Sequence, residues 1–520
     1  MSRHDPEVVY HASQFVHRTR DGGVTWETIS PDLTARPEGT QGASGEPITR
    51  DATGEEVYST LYSVRESPLQ KGLIWAGSND GLIHVTRDDG KTWTNVTPKG
   101  LPSGGRVQNM EPGRHKPGTA FVAVYRFLLG DFAPYIYRTD DFGKTWSLLT
   151  DGKNGIAADE PARVVREDAD RAGLLYAGTE FGMYISFDNG AQWQSFQLNL
   201  PNTPVTDIKV AHKDLVLSTQ GRSFWILDNL TPLHQAGNAA TFNAALLFKP
   251  REAIRSTSRG GGGRGATIQY PQAGAAIDYY LSALPEGDIA MEILDAAGKV
   301  IRKFTSAGGS LPEAPPVEAD TAPNEDGEGG GGRFRGGPTR LDKTPGMHRF
   351  TWDLRYPGAW QSAARPESPN GPSAVPGRYA VRLTVGAWNA TQPFTLTEDP
   401  RITGAGVTTE NLREQFDHNM KVRDLVSDVN RTVSRIRAGL AAMAGKPDSA
   451  ATLASLKDLA ASLITPTVRY SKPELQTHIT YLYSETNSTD QKIGRDAVER
   501  YNALRKELDQ RIAQLNNILK

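Results

Sequence analysis

A short motif that recurs four times constrains the fold of this chain more than any other feature. It reads Ser/Thr-x-Asp-x-Gly-x-x-Trp, and its copies begin at Thr19, Thr86, Thr139 and Ser186. Successive aspartates are 67, 53 and 47 residues apart. A four-stranded β-propeller blade repeats about every 40–50 residues, so the spacing predicts a chain built from similar small sheets.

Each copy of the motif lies beside apolar runs that are typical of β-strands. Residues 73–77 and 82–85 precede the second copy, and residues 174–179 and 183–185 precede the fourth. Turn-forming Gly, Asp and Asn separate these runs. A later unit, within residues 215–228, keeps the strand pattern and lacks the motif.

The residue types of the motif predict a structural role. The aspartate can accept hydrogen bonds from backbone N–H groups of its own turn, and the glycine can adopt a positive φ. The tryptophan can fill the space between neighbouring sheets. The residues expected to serve in this way are Asp21, Trp26, Asp88, Trp93, Asp141, Trp146, Asp188 and Trp193.

The strand pattern predicts about four complete four-stranded blades and one partial blade before residue 250. The first unit begins at residues 7–11 and leaves no room for an innermost strand. A five-bladed ring closed by strand exchange and a segment cut from a longer propeller both fit this pattern. We take the incomplete ring as the expectation.

The remaining sequence predicts a mainly β chain with an α-helical tail. Residues 1–250 form the propeller portion, and residues 251–266 are a glycine-rich linker. An RNA-binding role for the linker is disfavoured by the neutral charge of the chain. Residues 267–400 alternate as in an immunoglobulin-like β-sandwich, with an insertion at 307–340 expected to be disordered. The apolar period changes to that of helices in residues 405–520, which predicts a helical bundle.

Composition and motif searches exclude several functions. The chain has 58 Lys+Arg and 60 Asp+Glu, and this balance argues against nucleic-acid binding. It has no cysteine, no run of about 18 apolar residues and, as given, no apolar signal segment near residue 1. The ten histidines match no metal motif, and no phosphate-binding loop or nucleophile elbow is present. We therefore expect no cofactor, no metal and no membrane span.

Carboxylates near the expected innermost strands are the candidates for catalysis. Glycoside hydrolysis needs two carboxyl groups on one face, about 5–10 Å apart. The candidates are Glu111, Asp159 and Glu160, together with Asp80 and Glu180 in turns that we take as equivalent. The alternative interpretation is that Asp80 and Glu180 stabilise their turns and that the others are solvated loop charges.

Three arginines near the same strands could bind an anionic or sugar group. They are Arg106, Arg114 and Arg163. The sequence does not assign the arginine triad and nucleophile of a sialidase.

Four short segments and the four motifs resemble sequences of a known bacterial family. The segments are residues 77–82, 178–182, 221–228 and 350–357. The chain resembles the C-terminal portion of sortilin/VPS10-like BNR-repeat (Asp-box) proteins, often labelled glycosyl hydrolases. The resemblance implies an Asp-box propeller, a periplasmic or extracellular location, and an upstream propeller portion as a partner. The hydrolase label is a fold-level analogy with sialidases and xyloglucanases.

Two functions follow from this sequence. The first is a binding or scaffold protein that recognises a glycan, a peptide or a protein through propeller loops, including residues 129–134 and 152–161. The second is a glycoside hydrolase on the same propeller. Two converging carboxylates in a water-excluded cleft would favour the enzyme.

Overall fold

A computed structural model gives the fold of this protein. It describes residues 1–41, 58–236, 245–256, 273–307, 340–444, 446, 450–468 and 470–520. The chain divides into two compact units, Met1–Leu230 and Thr231–Lys520. It is mainly β, with a helical region at its C-terminal end. Within the described ranges, no helix is long and apolar enough to cross a membrane.

The first unit is a succession of five antiparallel sheets, each made of consecutive strands. The first sheet contains β1 (Val9–Ala12), β2 (Val16–Thr19) and β3 (Glu27–Thr28). The second contains β4 (Leu61–Glu66), β5 (Ile74–Ser78), β6 (Ile83–Thr86) and β7 (Thr94–Asn95). The third contains β8 (Arg106–Pro112), β9 (Ala120–Tyr125), β10 (Tyr135–Thr139) and β11 (Ser147–Leu148). The fourth contains β12 (Ala162–Glu167), β13 (Leu175–Thr179), β14 (Met183–Ser186) and β15 (Gln194–Ser195), and the fifth contains β16 (Val205–Ala211), β17 (Asp214–Thr219) and β18 (Phe224–Leu227).

Neighbouring sheets of the first unit pack through their apolar faces. The strands β4, β8, β12 and β16 begin the second to fifth sheets, and each contacts the next. Trp75 and Val107 share the core between the second and third sheets, and Ile136 and Ala177 share the core between the third and fourth. Successive antiparallel meanders packed in this way are of the β-propeller type.

Motif tryptophans link each sheet to the one before it. Their indole N–H groups donate at 2.7–3.0 Å to carbonyl oxygens of the preceding sheet, in the pairs Trp93–Ile29, Trp146–Val96 and Trp193–Leu149. Trp26, in the first sheet, instead donates to Gly23 of its own turn and is 46% exposed. The tryptophans therefore bind adjacent sheets together wherever a preceding sheet is present.

The structure contains three complete four-stranded sheets, where the sequence suggested about four. The first and fifth sheets have three strands each in the described residues. The turn of the fifth sheet also carries no copy of the motif. In the first sheet, the loop Arg3-His4-Asp5-Pro6 matches Arg114-His115-Lys116-Pro117, and each histidine bonds a carbonyl of the next sheet. The strand β1 therefore corresponds to β9, the second strand of the third sheet.

The second unit begins with a short helix, α1 (Thr231–Gln235), and two sheets that share one apolar core. One sheet has the order β19 (Ala245–Leu247), β21 (Ala275–Leu281) and β24 (Gly346–Trp352). The other has the order β20 (Ala253–Arg255), β26 (Trp388–Glu398), β25 (Gly377–Val385), β22 (Ile289–Leu294) and β23 (Val300–Thr305). Ile277, Trp352 and Val381 are fully buried between them.

The boundary between the units differs from the one expected at residue 250. The strand β19, expected in the propeller portion, pairs with β21, and β20, expected in the linker, pairs with β26. Edge pairing thus draws residues 245–256 into the second unit. The arginine- and glycine-rich part of the linker, 259–265, and residues 308–339 of the insertion lie outside the described residues.

The helical region contains α2 (Pro400–Gly404), α3 (Thr409–Met443), α4 (Ala450–Ala461), α5 (Leu475–Asn487) and α6 (Arg495–Ile518). Thr408 caps α3, since its side chain accepts from Asn411 N while the Asn411 side chain accepts from Thr408 N. Four helices, α3 to α6, bury one apolar core that includes Val429, Leu456 and Leu508.

Candidate functional site

One irregularity recurs in the strands β4, β8, β12 and β16. The pairing of each with the following strand shifts near its first residues. The shift leaves one residue of each strand out of register: Tyr62, Gln108, Arg163 and Thr206. Bulges redirect side chains and are common beside functional sites. This end of the four strands is therefore the first place to look for a site.

Aromatic and arginine side chains form a continuous row at this end. We call it the aromatic–arginine row, and it consists of Tyr62, Arg106, Tyr125, Arg163, Phe127 and Phe132. The Arg106 guanidinium lies 4.5 Å from the Tyr62 ring centre and 5.5 Å from that of Tyr125. Arg163 lies 4.7 Å from the same Tyr125 ring. The row thus joins residues of the second, third and fourth sheets.

Polar partners fix the centre of the row. The Tyr125 hydroxyl donates to Glu180 Oε1 at 2.6 Å, and Arg163 Nε forms an ion pair with the same oxygen. A second Arg163 nitrogen, Nη2, donates to Gln220 Oε1 at 3.2 Å. Burial, and then the bond to Glu180, raise the pKa of Tyr125 above its ordinary value. Tyr125 therefore stays protonated and continues to donate.

The loop 126–134 extends the row into solvent. Arg126 Nε bonds Asp131 at 2.7 Å, and the Tyr135 hydroxyl donates to Asp131 at 3.0 Å, so the loop is braced from within. Phe127 begins a short 3₁₀ helix, stacks on Tyr125 at 5.8 Å and meets the edge of Phe132 at 5.2 Å. Phe127 and Phe132 are 37% and 47% exposed. The loop offers apolar rings that the protein itself covers only in part.

The predicted arginines are divided between the two ends of the innermost strands. Arg106 and Arg163 belong to the row, but Arg114 follows the far end of β8. Glu111 is also at that far end, about 16 Å along the strand from Arg106 at about 3.3 Å per residue. Arg114 therefore lies beside Glu111, apart from Arg106 and Arg163.

Glu111 is held in a buried ion-pair network. Its carboxylate accepts from Arg114 Nε at 2.8 Å and from Arg166 Nη1 at 3.1 Å. Arg166 also bonds Asp207 at 2.5 Å and the carbonyl of Ile208 at 2.7 Å. These contacts connect β8, β12 and β16. Removal of one partner would leave an uncompensated buried charge, which is strongly destabilising, so this network is expected to serve the structure.

Glu167 is a carboxylate that sequence reasoning missed. It accepts from Arg114 N at 2.6 Å, beside Glu111, and burial raises its pKa. An acid with a raised pKa next to a second carboxyl group is an arrangement that hydrolases use. Its counterpart in β4, Glu66, accepts from Gly72 N at 3.0 Å. The sequence signal that could have found Glu167 was the recurrence of glutamate at the end of equivalent strands. Because both glutamates accept a backbone N–H, the recurrence favours a structural role.

The other two catalytic candidates are not paired with Glu111. Glu160 is buried and accepts from the hydroxyls of Thr179 at 2.9 Å and Tyr184 at 2.6 Å. Asp159 is exposed. Among the described residues, no hydrogen bond joins Glu111, Asp159 and Glu160 to one another.

The expected equivalence of Asp80 and Glu180 is wrong by one position. Glu180 N donates to Pro161 O at 3.0 Å, and Asn79 N donates to Thr60 O at 2.8 Å in the same place of the second sheet. Glu180 therefore corresponds to Asn79. Asp80 has a different task, because its Oδ2 accepts from the backbone N–H of Ala35 at 2.8 Å.

The aspartates of the four motifs bond within their own turns. In each, Oδ1 accepts the backbone N–H four residues later at 2.9–3.0 Å. Hydrogen bonds from the Thr92 and Thr145 hydroxyls hold the pKa values of Asp88 and Asp141 at about 2. Gly143 has φ 83°, and a Cβ there would lie 2.6 Å from the Val96 side chain of the preceding sheet. These contacts indicate a structural role for the four motif turns.

Comparison with known proteins gives partial matches. No family model matches the chain. An oligoxyloglucan-reducing end-specific xyloglucanase of Emericella nidulans is 32% identical over 112 residues, which are 21% of this chain and 13% of that protein. A probable enzyme of the same name from Neosartorya fischeri is 25% identical over 288 residues, 47% of this chain and 33% of that protein. The matches thus span a third or less of these relatives.

Solved structures with some likeness include the GH74 xyloglucanase of Xanthomonas campestris, with a TM-score of 0.33 and 17% identity, covering 44% of this chain and 36% of that one. YCF48 from Cyanidioschyzon merolae has a TM-score of 0.30 and 14% identity, covering 42% of this chain and 66% of that one.

Proposed function

We propose that the first unit binds a glycan through the aromatic–arginine row. The observation that carries the proposal is the unbroken sequence of ring and guanidinium contacts from Tyr62 to Phe132. Aromatic rings give flat apolar faces, and arginines give fixed donors for ligand oxygens. Tyrosine, tryptophan and arginine are also the residues that contribute most binding energy at recognition surfaces.

The sequence relatives favour a glycan over a peptide or protein ligand. Both curated relatives are named for xyloglucan oligosaccharides. The exposed rings of Phe127 and Phe132, which connect to Arg163 through Tyr125, suit a ligand with apolar ring faces and polar edges.

A binding measurement with xyloglucan oligosaccharides tests the proposal. We expect the whole chain to bind them in titration calorimetry. Arg163→Ala should weaken binding roughly 10- to 100-fold, because it removes a guanidinium that bonds both Tyr125 and Glu180. Phe132→Ala removes a half-exposed ring with little risk to folding and should also weaken binding.

Arg87→Ala is the matched control. Its guanidinium lies 4.1 Å from the ring centre of Phe142, in the turn after β6 rather than in the row. The variant should bind as the wild type does. Equal affinities for Arg163→Ala, Phe132→Ala and Arg87→Ala would refute the proposal, as would binding of peptides and no glycan.

A glycoside hydrolase is the second candidate, because both curated relatives are named as xyloglucanases. The catalytic residues would then come from Glu111, Asp159 and Glu160, with Glu167 added by its position beside Glu111. Release of reducing sugar from xyloglucan that disappears in Glu111→Gln or Glu160→Gln would establish the enzyme. An inactive wild type that still binds would leave the binding protein.

The finer points of the architecture are part of the same proposal. We infer an Asp-box propeller of the sortilin/VPS10-like kind, open at its first and fifth sheets, with an upstream propeller portion as a partner. The two sheets of the second unit are proposed to be an immunoglobulin-like sandwich. A periplasmic or extracellular location would suit a glycan-binding protein, and fractionation of the source organism would test it.

A further inference from the structure

We propose that the second unit holds a separate site for an acidic sugar, in a cleft between the strap and the helices. The strap is the segment 355–371, between β24 and β25. The cleft has a volume of about 570 Å³ and is walled by the strap, α3 and α5. Ligand sites in proteins measure about 300–1,000 Å³. The inference does not depend on the glycan site of the first unit.

The strap is fixed to the helices at both ends, so the cleft is a built feature. Near its start, Trp360 N donates to Ser427 Oγ at 3.0 Å, and Asn430 Nδ2 donates to Trp360 O at 2.9 Å. Near its end, the Tyr483 hydroxyl donates to Asn370 O at 2.7 Å. The walls are therefore positioned before any ligand arrives.

Most residues that line the cleft have polar side chains, and one of them is charged. Ten of its twelve residues are polar, and Arg355 is the one charged residue among them. The Arg355 side chain makes a single hydrogen bond within the described residues, from Nη1 to Gly371 O at 2.7 Å, and no ion pair there. The nearby pair Arg255–Asp490 neutralises itself at 2.7 Å. The cleft thus carries an unbalanced positive charge.

That charge favours an anion, and the guanidinium fork matches the oxygens of a carboxylate or a phosphate. The single positive charge of Arg355 balances the one negative charge of a carboxylate and would leave a phosphate dianion partly unbalanced. Around it stand amides and hydroxyls, including Gln361, Asn370 and Ser484, whose side chains make no hydrogen bond within the described residues. The lining offers many donors and acceptors, and just two of its residues are aliphatic, Ala359 and Val426. A small ligand with one carboxylate and several hydroxyls fits this chemistry. A uronic acid, alone or at the end of an oligosaccharide, is such a ligand.

Titration of the whole chain with galacturonic acid, glucuronic acid, galactose, glucose and acetate tests the site. Both uronic acids should bind, and the neutral sugars and acetate should bind at least about tenfold more weakly, because each lacks half of the complementary chemistry. Arg355→Gln should reduce uronate binding about tenfold or more. Ser484→Asp, an exposed change on α5, should do so by repelling the carboxylate without disturbing the strap.

Arg365→Gln is the control, since Arg365 lies in the strap outside the cleft lining. It should leave uronate binding unchanged, and so should Arg163→Ala in the first unit. Wild-type binding that survives both Arg355→Gln and Ser484→Asp would overturn the proposal. Acetate binding as tight as uronate binding, or binding of an acidic peptide with none of uronate, would overturn the assignment to a sugar.

Discussion

The four motif turns and the four bulged positions of the innermost strands are equally periodic, yet they differ in chemistry. Each turn repeats the same backbone-to-aspartate hydrogen bond within 0.1 Å, at 2.9–3.0 Å. The bulges repeat the same backbone shift and carry four different residues: Tyr62, Gln108, Arg163 and Thr206. Side chains that are the same at equivalent positions stabilise the sheets. Side chains that differ at equivalent bulges are available for recognition.

The largest test of this comparison is removal of a motif tryptophan. Trp193 is 4% exposed and bonds the preceding sheet, whereas Trp26 is 46% exposed and bonds its own turn. We expect Trp193→Ala to lower the free energy of unfolding of the first unit by about 3–5 kcal/mol, and Trp26→Ala by less than about 1 kcal/mol. Urea unfolding followed by tryptophan fluorescence and circular dichroism measures both. Equal losses would show that the turns act within one sheet and do not link neighbours.

The next test concerns equivalent positions in the strands β2, β6, β10 and β14, and asks whether their residues can be exchanged. Positions 17, 84, 137 and 184 correspond there, and they carry His, His, Tyr and Tyr. Burial lowers the pKa of His84 to about 4, below about 6.5 in an unfolded chain. The unfolded chain therefore takes up the proton first as pH falls. The contribution of neutral His84 to the free energy of unfolding should therefore be complete above pH 6.5 and should be lost between pH 6.5 and 4, by roughly 1–3 kcal/mol.

Replacing His84 by the tyrosine of the equivalent positions should remove that pH dependence. Unfolding free energies of wild type and His84→Tyr should diverge between pH 7 and pH 4.5, with His84→Gln as the smaller-volume control. A wild type with no loss of stability in this range would mean that His84 is not held neutral. The motif aspartates do not confuse the measurement, because wild type and variant share them and because their ordinary carboxyl pKa of 3.8, near which their contribution to stability begins to be lost, lies below this pH range.

Most of the fold could be predicted from the sequence, because local interactions determine it. The motif fixes a turn through bonds among its own residues, and apolar runs of period 2 or 3.6 fix the elements beside it. Pairing between distant segments is different. The strand β20 has three residues and joins its sheet through a parallel partner more than 140 residues away, so its local sequence resembles a linker.

The candidate site is harder to predict from the sequence because it depends on the register in which the strands pair. The aromatic–arginine row depends on the contact between Tyr125 and Arg163. That contact follows from β-bulges, which no local sequence pattern predicts. The predicted equivalence of Asp80 and Glu180 failed because it rested on residue type and not on the number of residues after the preceding glycine. Counting from Gly77 and Gly178 places Asn79 opposite Glu180, as the structure does.

A substitution between equivalent bulges tests the other side of the comparison. If bulged residues were interchangeable, Arg163→Gln would be neutral, since Gln108 occupies the equivalent bulge of β8. We expect it to weaken xyloglucan-oligosaccharide binding by about tenfold, or roughly 1.4 kcal/mol, because the guanidinium over Tyr125 is lost. Thr206→Gln puts the same residue at a bulge outside the row, and calorimetry should show unchanged affinity. An unchanged affinity for Arg163→Gln would remove the row from recognition.

The smallest expected effect comes from making the fourth turn like the other three. In those three, a threonine hydroxyl donates to the second aspartate oxygen at 2.6–2.7 Å, whereas Gln192 stands at that place in the fourth. Gln192→Thr should add the missing bond and raise stability by less than about 1 kcal/mol, because the site is exposed. Thermal unfolding at pH 7 measures it, with Gln192→Val as the control of similar shape. A gain for threonine and none for valine would show that the turns are interchangeable down to one hydroxyl; equal effects would mean that the gain comes from backbone preference alone.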